Sequence, residues 1–393
     1  MNKTLIALAV LAAAGSVSAQ SSVTLFGVAD LSYTRVESDT TVLGIAGNVT
    51  RTGLVSGSNR TSRIGFRGTE DLGSGLKAGF WLEAGVSLDS GASASTGIFT
   101  NNQAAGTQAV AGIGGGSGAL AFNRRANVML SGNFGEFRVG RSSVAGLLAQ
   151  ESFDPFDANG VGGIRQIVYA NARTLNGATT TNLATSGPTV RASNMIEYFL
   201  PSNLGGFNGT VGYGFGENPD TAGATKDNGN LFTFRVGYTN GPFDIKVAGT
   251  TYDFTNTAAI VNDYSEYTVG GSYDFSVVKV FLAFNSNKVD NHPTDGGDGK
   301  TDSIILSATA PFGDGLFRAV YVKANQKTTA NNDGSQFSIG YIHNLSKRTS
   351  LYATYALADN KGASTRFNVG GGLGVTTAGG KSSGFDLGVT HAF

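Results

Sequence analysis

A period-two alternation of large apolar and small polar residues runs through almost the whole of this 393-residue chain and constrains the fold more than any single motif. Phe207, Gly209, Val211, Tyr213 and Phe215 fall on one face of an extended segment, with Asn208, Thr210, Gly212 and Gly214 on the other. Phe232, Phe234, Val236 and Tyr238 alternate with Thr233, Arg235, Gly237 and Thr239, and the pattern returns at Val278–Phe284, Leu351–Leu357 and Phe385–Phe393. Strand side chains point to opposite faces in turn, so each segment reads as a strand with one apolar and one wet face. Beyond residue 20 no apolar run approaches the roughly 18 residues of a membrane helix, which excludes a helical membrane protein. Composition agrees with an all-β chain: 58 Gly, 25 Phe and 13 Tyr stand against 7 Pro, and only 14% of residues are charged where about 25% is usual.

The connections alternate as strictly as the residues. Tight turns bearing Gly or Asn sit at Glu70–Gly75, Asn133–Glu136, Ser202–Gly206, Thr239–Pro242, Asp274–Val277, Pro311–Gly315 and Asn344–Arg348. Longer polar stretches separate them at Ser38–Asn59, Ser90–Ala121, Ser142–Ala192, Glu217–Asn230, Thr255–Asp263, Asp290–Lys300, Lys327–Gly334 and Asn360–Ser383. Seven turns and eight loops require sixteen strands. Short connections on one side and long ones on the other are the layout of a transmembrane antiparallel β-barrel, with periplasmic turns and extracellular loops. Strands of about ten residues cross a bilayer when tilted. Closure is required because lipid cannot satisfy the N–H and C=O groups of an open edge. With the small faces inward, the pattern predicts a wet lumen and no packed core.

The N-terminus is a separate object. Met1-Asn2-Lys3 gives a short basic start, Leu5–Ala14 is an unbroken apolar run, and Val17 and Ala19 place small residues at the −3 and −1 positions of a cleavage site. These features predict a secretory signal over 1–19 and a mature barrel domain over 20–393. Twenty-eight basic residues balance 28 acidic ones, which removes the bulk positive charge of a nucleic-acid binder. The absence of cysteine excludes disulfides, thiolate metal sites and a cysteine nucleophile. His292, His343 and His391 are scattered over a loop and two strands, which suggests neither a metal site nor a catalytic group. Gly299-Lys300-Thr301 ends like a phosphate loop, but the required first glycine falls on Thr294. Asp290, Asp295, Asp298 and Asp302 crowd one loop without the spacing of a Ca²⁺ loop and read as a solvated acidic stretch. No enzyme activity, metal or cofactor is expected.

Several segments carry a resemblance through their order and spacing. Ser21-Ser22-Val23-Thr24-Leu25-Phe26-Gly27 opens the series, followed by Ser62-Arg63-Ile64-Gly65-Phe66-Arg67-Gly68-Thr69-Glu70-Asp71-Leu72-Gly73. Phe122-Asn123-Arg124, Phe137-Arg138-Val139-Gly140-Arg141, Asn344-Leu345-Ser346-Lys347-Arg348-Thr349 and the terminal Phe393 complete it. Together they resemble the general-diffusion trimeric porins of Gram-negative outer membranes, in their β-proteobacterial branch. The likeness spans essentially all of the mature chain. His391 departs from it, standing where an aromatic such as Tyr is usual.

The resemblance implies a channel in the outer membrane of a Gram-negative bacterium that passes small hydrophilic solutes and ions by diffusion. It implies a homotrimer in contact with outer-membrane lipid and lipopolysaccharide, with Phe393 as the C-terminal signal read by the barrel assembly machinery. It also implies that the third loop, starting at Ser142, folds into the lumen through a short helix over Val144–Glu151. Glu151, Asp154 and Asp157 then form the acidic side of a pore constriction, opposite Arg63, Arg67 and Arg124 on the basic wall. Ile64, Phe66, Phe80 and Leu82 point Arg63, Arg67, Lys77 and Glu83 to the lumen by alternation. Arg141 is expected at a trimer contact, and Arg125, Asn127 and Met129 read as an outward polar row suited to a protein neighbour. A substrate-selective channel with a dedicated solute-binding track is the alternative, but no aromatic ladder along the lumen is legible. An enzyme on a barrel would need an acid/base pair at the rim, where only His292 is available; an open conductance would dismiss a purely adhesive barrel.

Overall fold

Every strand that shows lipid an apolar face needs a hydrogen-bonded partner on both edges, and the chain meets that requirement by closing on itself. A computed structural model describes residues 22–42, 45–92, 120–170, 189–219, 223, 226–253, 263–292, 297–327, 332–370, 374–375 and 377–393. Among the described residues seventeen strands join one sheet, and sixteen of them form the closed antiparallel wall. They are β1 (Ser22–Val42), β2 (Ile45–Ser56), β3 (Arg63–Gly73), β4 (Leu76–Gly85), β5 (Arg125–Gly132), β6 (Gly135–Ser143), β7 (Arg191–Phe199), β8 (Phe207–Gly214), β9 (Leu231–Asn240), β10 (Phe243–Asp253), β11 (Asp263–Asp274), β12 (Lys279–His292), β13 (Gly297–Phe312), β14 (Gly315–Gln326), β15 (Gly334–Asn344), β16 (Thr349–Asn360) and β17 (Lys381–Ala392). All seven tight turns fall where the sequence places them.

The extra strand is β2. The first part of β1 pairs with β3, from Ser22↔Thr69 to Val28↔Arg63, and its continuation pairs with β2, from Leu31↔Ser56 to Val42↔Ile45. The expected loop at Ser38–Asn59 is therefore largely a ladder, lying in line with β3 above a break at residues 57–62. Similarly, β12 and β13 stay paired as far as His292↔Gly297, so the expected loop at Asp290–Lys300 shrinks. Residues 1–21, which include the expected signal, and Asp295 lie outside the described residues. Asp302 takes the ammonium groups of Lys300 and Lys327 at 3.7 Å each, and Lys288 pairs with Asp290 at 2.5 Å. Among the described residues no group of three or more potential metal ligands forms.

Closure runs from Val28↔Ala392 to Ser38↔Ser382 between β1 and β17. Gly27 and Phe393 exchange both backbone hydrogen bonds at 3.0 and 3.1 Å, and the Phe393 ring lies so close over Gly27 that a Cβ there would collide with it. The seam should therefore be sensitive to one atom. Gly27→Val is expected to lower the fraction of heat-modifiable, folded barrel in the outer membrane; wild-type levels on gels run with and without heating would contradict this packing.

The faces follow the alternation, with one correction. On β5, Val128 is 60% exposed while Asn127 is 5% exposed. Arg125, Asn127 and Met129 stand opposite Glu83, Trp81 and Gly79, and so face the lumen. The outward row is Ala126, Val128 and Leu130, apolar as a membrane-buried surface requires. On the outer surface near the turns, aromatic side chains cluster as Phe134–Phe137–Tyr198, Phe207–Tyr238, Tyr273–Phe275 and Phe312–Phe317–Tyr341, a girdle of the kind found at membrane interfaces.

A packed core exists, contrary to expectation. Leu147, Phe153, Phe156, Val161, Ile164, Ile167 and Tyr169 of the third loop are fully buried against inward-facing small and aliphatic wall residues, among them Ala283, Ile305, Val320, Val322, Ala356 and Ala358. The loop brings its own apolar surface into the barrel, and the alternation along the strands carries no trace of it.

Candidate functional site: a constriction built by the third loop

After β6 the chain turns inward as α1 (Ala145–Glu151), close to the expected helix, which packs against β9, β10 and β11. A second short helix, α2 (Arg165–Val168), packs against β13, β14 and β15. The loop thus crosses the lumen, and polar wall side chains grip its backbone along the way. Thr233 Oγ1 accepts the Ala145 N–H at 2.9 Å, and Asp386 Oδ2 accepts the Val161 N–H at 2.9 Å. Ser307 Oγ donates to the Phe153 carbonyl at 2.6 Å, and Asn287 Nδ2 to the Val168 carbonyl at 2.7 Å. Arg318 Nη1 donates to the Pro155 carbonyl at 3.3 Å, and Gln336 Nε2 is shared among the carbonyls of Val161, Gly162 and Gly163. Buried backbone groups must find partners, and here the far wall supplies them.

Asp154 departs from the expected role of a water-facing pore charge. Its side chain is buried and accepts three backbone N–H groups: Phe156 at 2.9 Å, Ala158 at 3.0 Å and Ile164 at 3.1 Å. Burial holds its carboxyl above the usual carboxylate range, although the three N–H groups pull it down. Asp154 therefore shapes the loop. An Asp followed by Pro, with its carboxylate on the N–H two residues on, is an Asx turn, and Asp154-Pro155-Phe156 carries that signal in the sequence.

Asp157 remains at the surface of the lumen. Its backbone φ of 52° is left-handed, a conformation Asp tolerates, and it turns the side chain off the loop. Burial raises the Asp157 carboxyl, opposed by Arg63 first and then by Arg165, Arg124 and Arg60. Glu151 meets Arg165 at 3.2 Å and is pushed up to about 7, mainly by burial. On the opposite wall, Arg124 Nε donates to Glu83 Oε1 at 2.5 Å, Arg63 Nε lies 4.0 Å from the same oxygen, and Trp81 Nε1 donates to Glu83 Oε2 at 3.2 Å. Arg191, at the start of β7, is within electrostatic reach of Arg124, Arg165 and Glu151.

The fold therefore brings Arg63, Arg124, Glu83, Glu151 and Asp157 together. It keeps the other sequence candidates apart. Arg67 lies over the rings of Phe26 and Trp81, at 5.2 and 5.1 Å from their centroids, and is not among the groups acting on Asp157. Lys77 is exposed in register with Asp71 and Ser131, near the turn side. The Arg141 guanidinium is buried within its own chain, donating from Nε to the Asn123 carbonyl at 2.6 Å and from Nη1 to Ser193 Oγ at 2.8 Å. Sequence reasoning did not single out Arg60 and did not place Arg165 and Arg191. Arg60 belongs to the inward break between β2 and β3, where Asp30 accepts the N–H groups of Asn59 and Arg60 at 3.2 Å each. No strand periodicity marks such a break.

A closed sixteen-stranded wall with an inward third loop and facing charges is a channel architecture, and comparison with known proteins decides the family. The sequence profile of the Gram-negative porins matches residues 4–363. This chain belongs to the Gram-negative porin family. Outer membrane porin protein 32 of Delftia acidovorans is 39% identical over 399 residues, covering 100% of both chains. The solved structure of an anion-selective porin from Comamonas acidovorans superposes with a TM-score of 0.75 at 35% identity, covering 95% of this chain and 100% of that one. An in-vitro folded OmpT of Vibrio cholerae, described in its trimer form, shares the fold at a TM-score of 0.55 and 15% identity, covering 95% of this chain and 99% of that one. The porin resides in the outer membrane of a Gram-negative bacterium and forms a water-filled channel for passive diffusion of small hydrophilic solutes; its family and structural neighbours are channels, not enzymes.

Proposed function

We propose that this porin is a homotrimeric diffusion channel whose third loop sets a constriction that favours anions. The observation that carries this reading is the charge balance around the loop. Among the described residues, Arg60, Arg63, Arg124, Arg165 and Arg191 are grouped with the carboxylates of Glu83, Glu151 and Asp157, while Asp154 is taken up by backbone N–H groups. Fixed positive charge in a narrow aqueous passage lowers the energy of anions and raises that of cations. The anion-selective relative supports the same sign. In a planar bilayer with a low-salt gradient, the reversal potential is expected on the anion side; a cation-side potential overturns the reading.

Glu151 adds a pH dependence. A carboxyl raised to about 7 is charged above that pH and neutral below it. Lowering the pH from 8 to 6 should therefore increase the positive excess and the anion preference. Glu151→Gln should abolish that step, and a wild-type pH profile in this variant would assign it elsewhere.

The trimer has a basis different from the expected polar row. On the outer face of β1 and β3–β6, Val23, Phe80, Leu82, Ala126, Val128 and Val139 line shallow apolar grooves, and the turn-side aromatic clusters start at Phe134–Phe137. Such a face suits a copy of itself. Val128→Arg is expected to convert an SDS-resistant oligomer to a monomer in unheated samples. The signal over 1–19, recognition of Phe393 by the assembly machinery and contact of the rim with lipopolysaccharide complete the proposal.

A further inference from the structure

Two aromatic rings face the lumen on the turn side of the constriction, where alternation analysis finds no ladder. Phe26 on β1 crosses the bare backbone of Gly65 on β3, where a Cβ would collide with its ring, and reaches Trp81 on β4 with centroids 5.1 Å apart, edge to face. The guanidinium of Arg67 lies over both rings, and that of Arg125 lies over Trp81 at 4.4 Å. Rings within about 6 Å hold a guanidinium by cation–π attraction and fix its plane.

Arg67 differs from Arg124 and Arg138 of the same wall. Arg124 is paired with Glu83, and Arg138 with Glu136. Among the described residues no carboxylate lies within salt-bridge distance of Arg67, and its side chain is exposed. The Arg125 Nε–H is buried without a partner. The wall thus presents a held, unneutralised guanidinium edge beside an apolar ring surface. A guanidinium fork matches a carboxylate in two parallel hydrogen bonds, and the rings add stacking surface for a flat group attached to it. Trp81 stands two residues from Glu83 on the same face of β4, and its indole N–H donates to the Glu83 that meets Arg63 and Arg124.

We propose that Phe26, Arg67 and Trp81 form a binding step for aromatic monocarboxylates that have passed the constriction. The inference rests on the diffusion-channel reading and deepens it by naming a solute class: the carboxylate engages Arg67, and the ring lies against Phe26 and Trp81. Inorganic anions and aliphatic carboxylates pass the step without the ring contact, and neutral aromatics pass it without the charge contact.

Trp81 is the only tryptophan of the chain, so all tryptophan emission comes from this step. The purified trimer in detergent is titrated with phenylacetate, acetate and 2-phenylethanol. Phenylacetate is expected to change Trp81 emission saturably, with half-saturation on the order of 1 mM. Acetate should give no saturable change, and 2-phenylethanol only a linear collisional loss. Arg67→Gln and Phe26→Leu, each confirmed as folded by heat-modifiability, should weaken the phenylacetate response by roughly tenfold or more. A linear response to phenylacetate in the wild type overturns the binding step, as does an unchanged saturation curve in Arg67→Gln. The reversal potential is measured on the same preparation. Saturation with a cation-side potential removes the anion-preferring constriction and leaves the step standing; an anion-side potential with linear quenching does the reverse.

Discussion

Asp154→Ala is expected to undo the tip of the third loop while leaving the barrel closed. The substitution orphans three buried N–H groups, those of Phe156, Ala158 and Ile164. Orphaning a buried N–H costs roughly 1–3 kcal/mol, so the loss of three is several kcal/mol, concentrated in one short segment. The wall does not share it, because the strand ladders run from β1 round to β17 without using the loop. Single-channel conductance should rise and become noisy as Phe156, Val161 and Ile164 lose their fixed places in the lumen. The heat-modifiable oligomer should persist on gels. Asp154→Asn, which keeps one acceptor oxygen, should fall between the two. A quiet, wild-type conductance in Asp154→Ala would mean that the grip of Thr233, Ser307, Arg318, Gln336 and Asp386 holds the tip unaided.

The second large effect is on ion preference. Arg63→Gln combined with Arg124→Gln removes two of the five guanidinium groups and leaves Glu83 with the Trp81 indole N–H but no cation. Each charge in a partly dehydrated passage shifts an ion's energy by roughly 1 kcal/mol, so the pair should change the permeability ratio about tenfold or more toward cations. Asp157→Asn should shift it the other way by a smaller factor. Adding Glu83→Gln to the arginine pair removes the stranded carboxylate and should return part of the shift. Both effects should shrink at 1 M salt, where the Debye length falls to about 3 Å. Wild-type reversal potentials at low salt in the double variant would separate the selectivity filter from this cluster. Asp154 has no place in that experiment, since replacing it alters the loop before it alters the field.

The sixteen wall strands, the turn positions and the inward aim of Arg63, Lys77 and Glu83 are legible in the sequence, whereas the helix after Ser143 comes with the family resemblance and β2 is hidden in an expected loop. The reason is local: period two, the Gly and Asn of tight turns, and lipid avoidance act within a few residues or between adjacent strands. For β5 the row Ala126, Val128 and Leu130 already carries the phase that the structure adopts, since an outward row within the membrane must be apolar. Even the fate of Asp154 is partly written in Asp154-Pro155-Phe156.

What only the tertiary structure decides is which distant groups meet. Asp157 faces Arg63 and Arg124 because wall residues from β9 to β17 hold the loop backbone across the lumen, and those pairings span separations of up to 225 residues. Arg60 joins them because Asp30 captures a break between two collinear strands. Arg67 leaves the cluster because Gly65 lets Phe26 cross to Trp81. Alternation assigns a side chain to the lumen but gives neither its height nor its partner there. Closure of the barrel sets the height, and the inward loop chooses the partner.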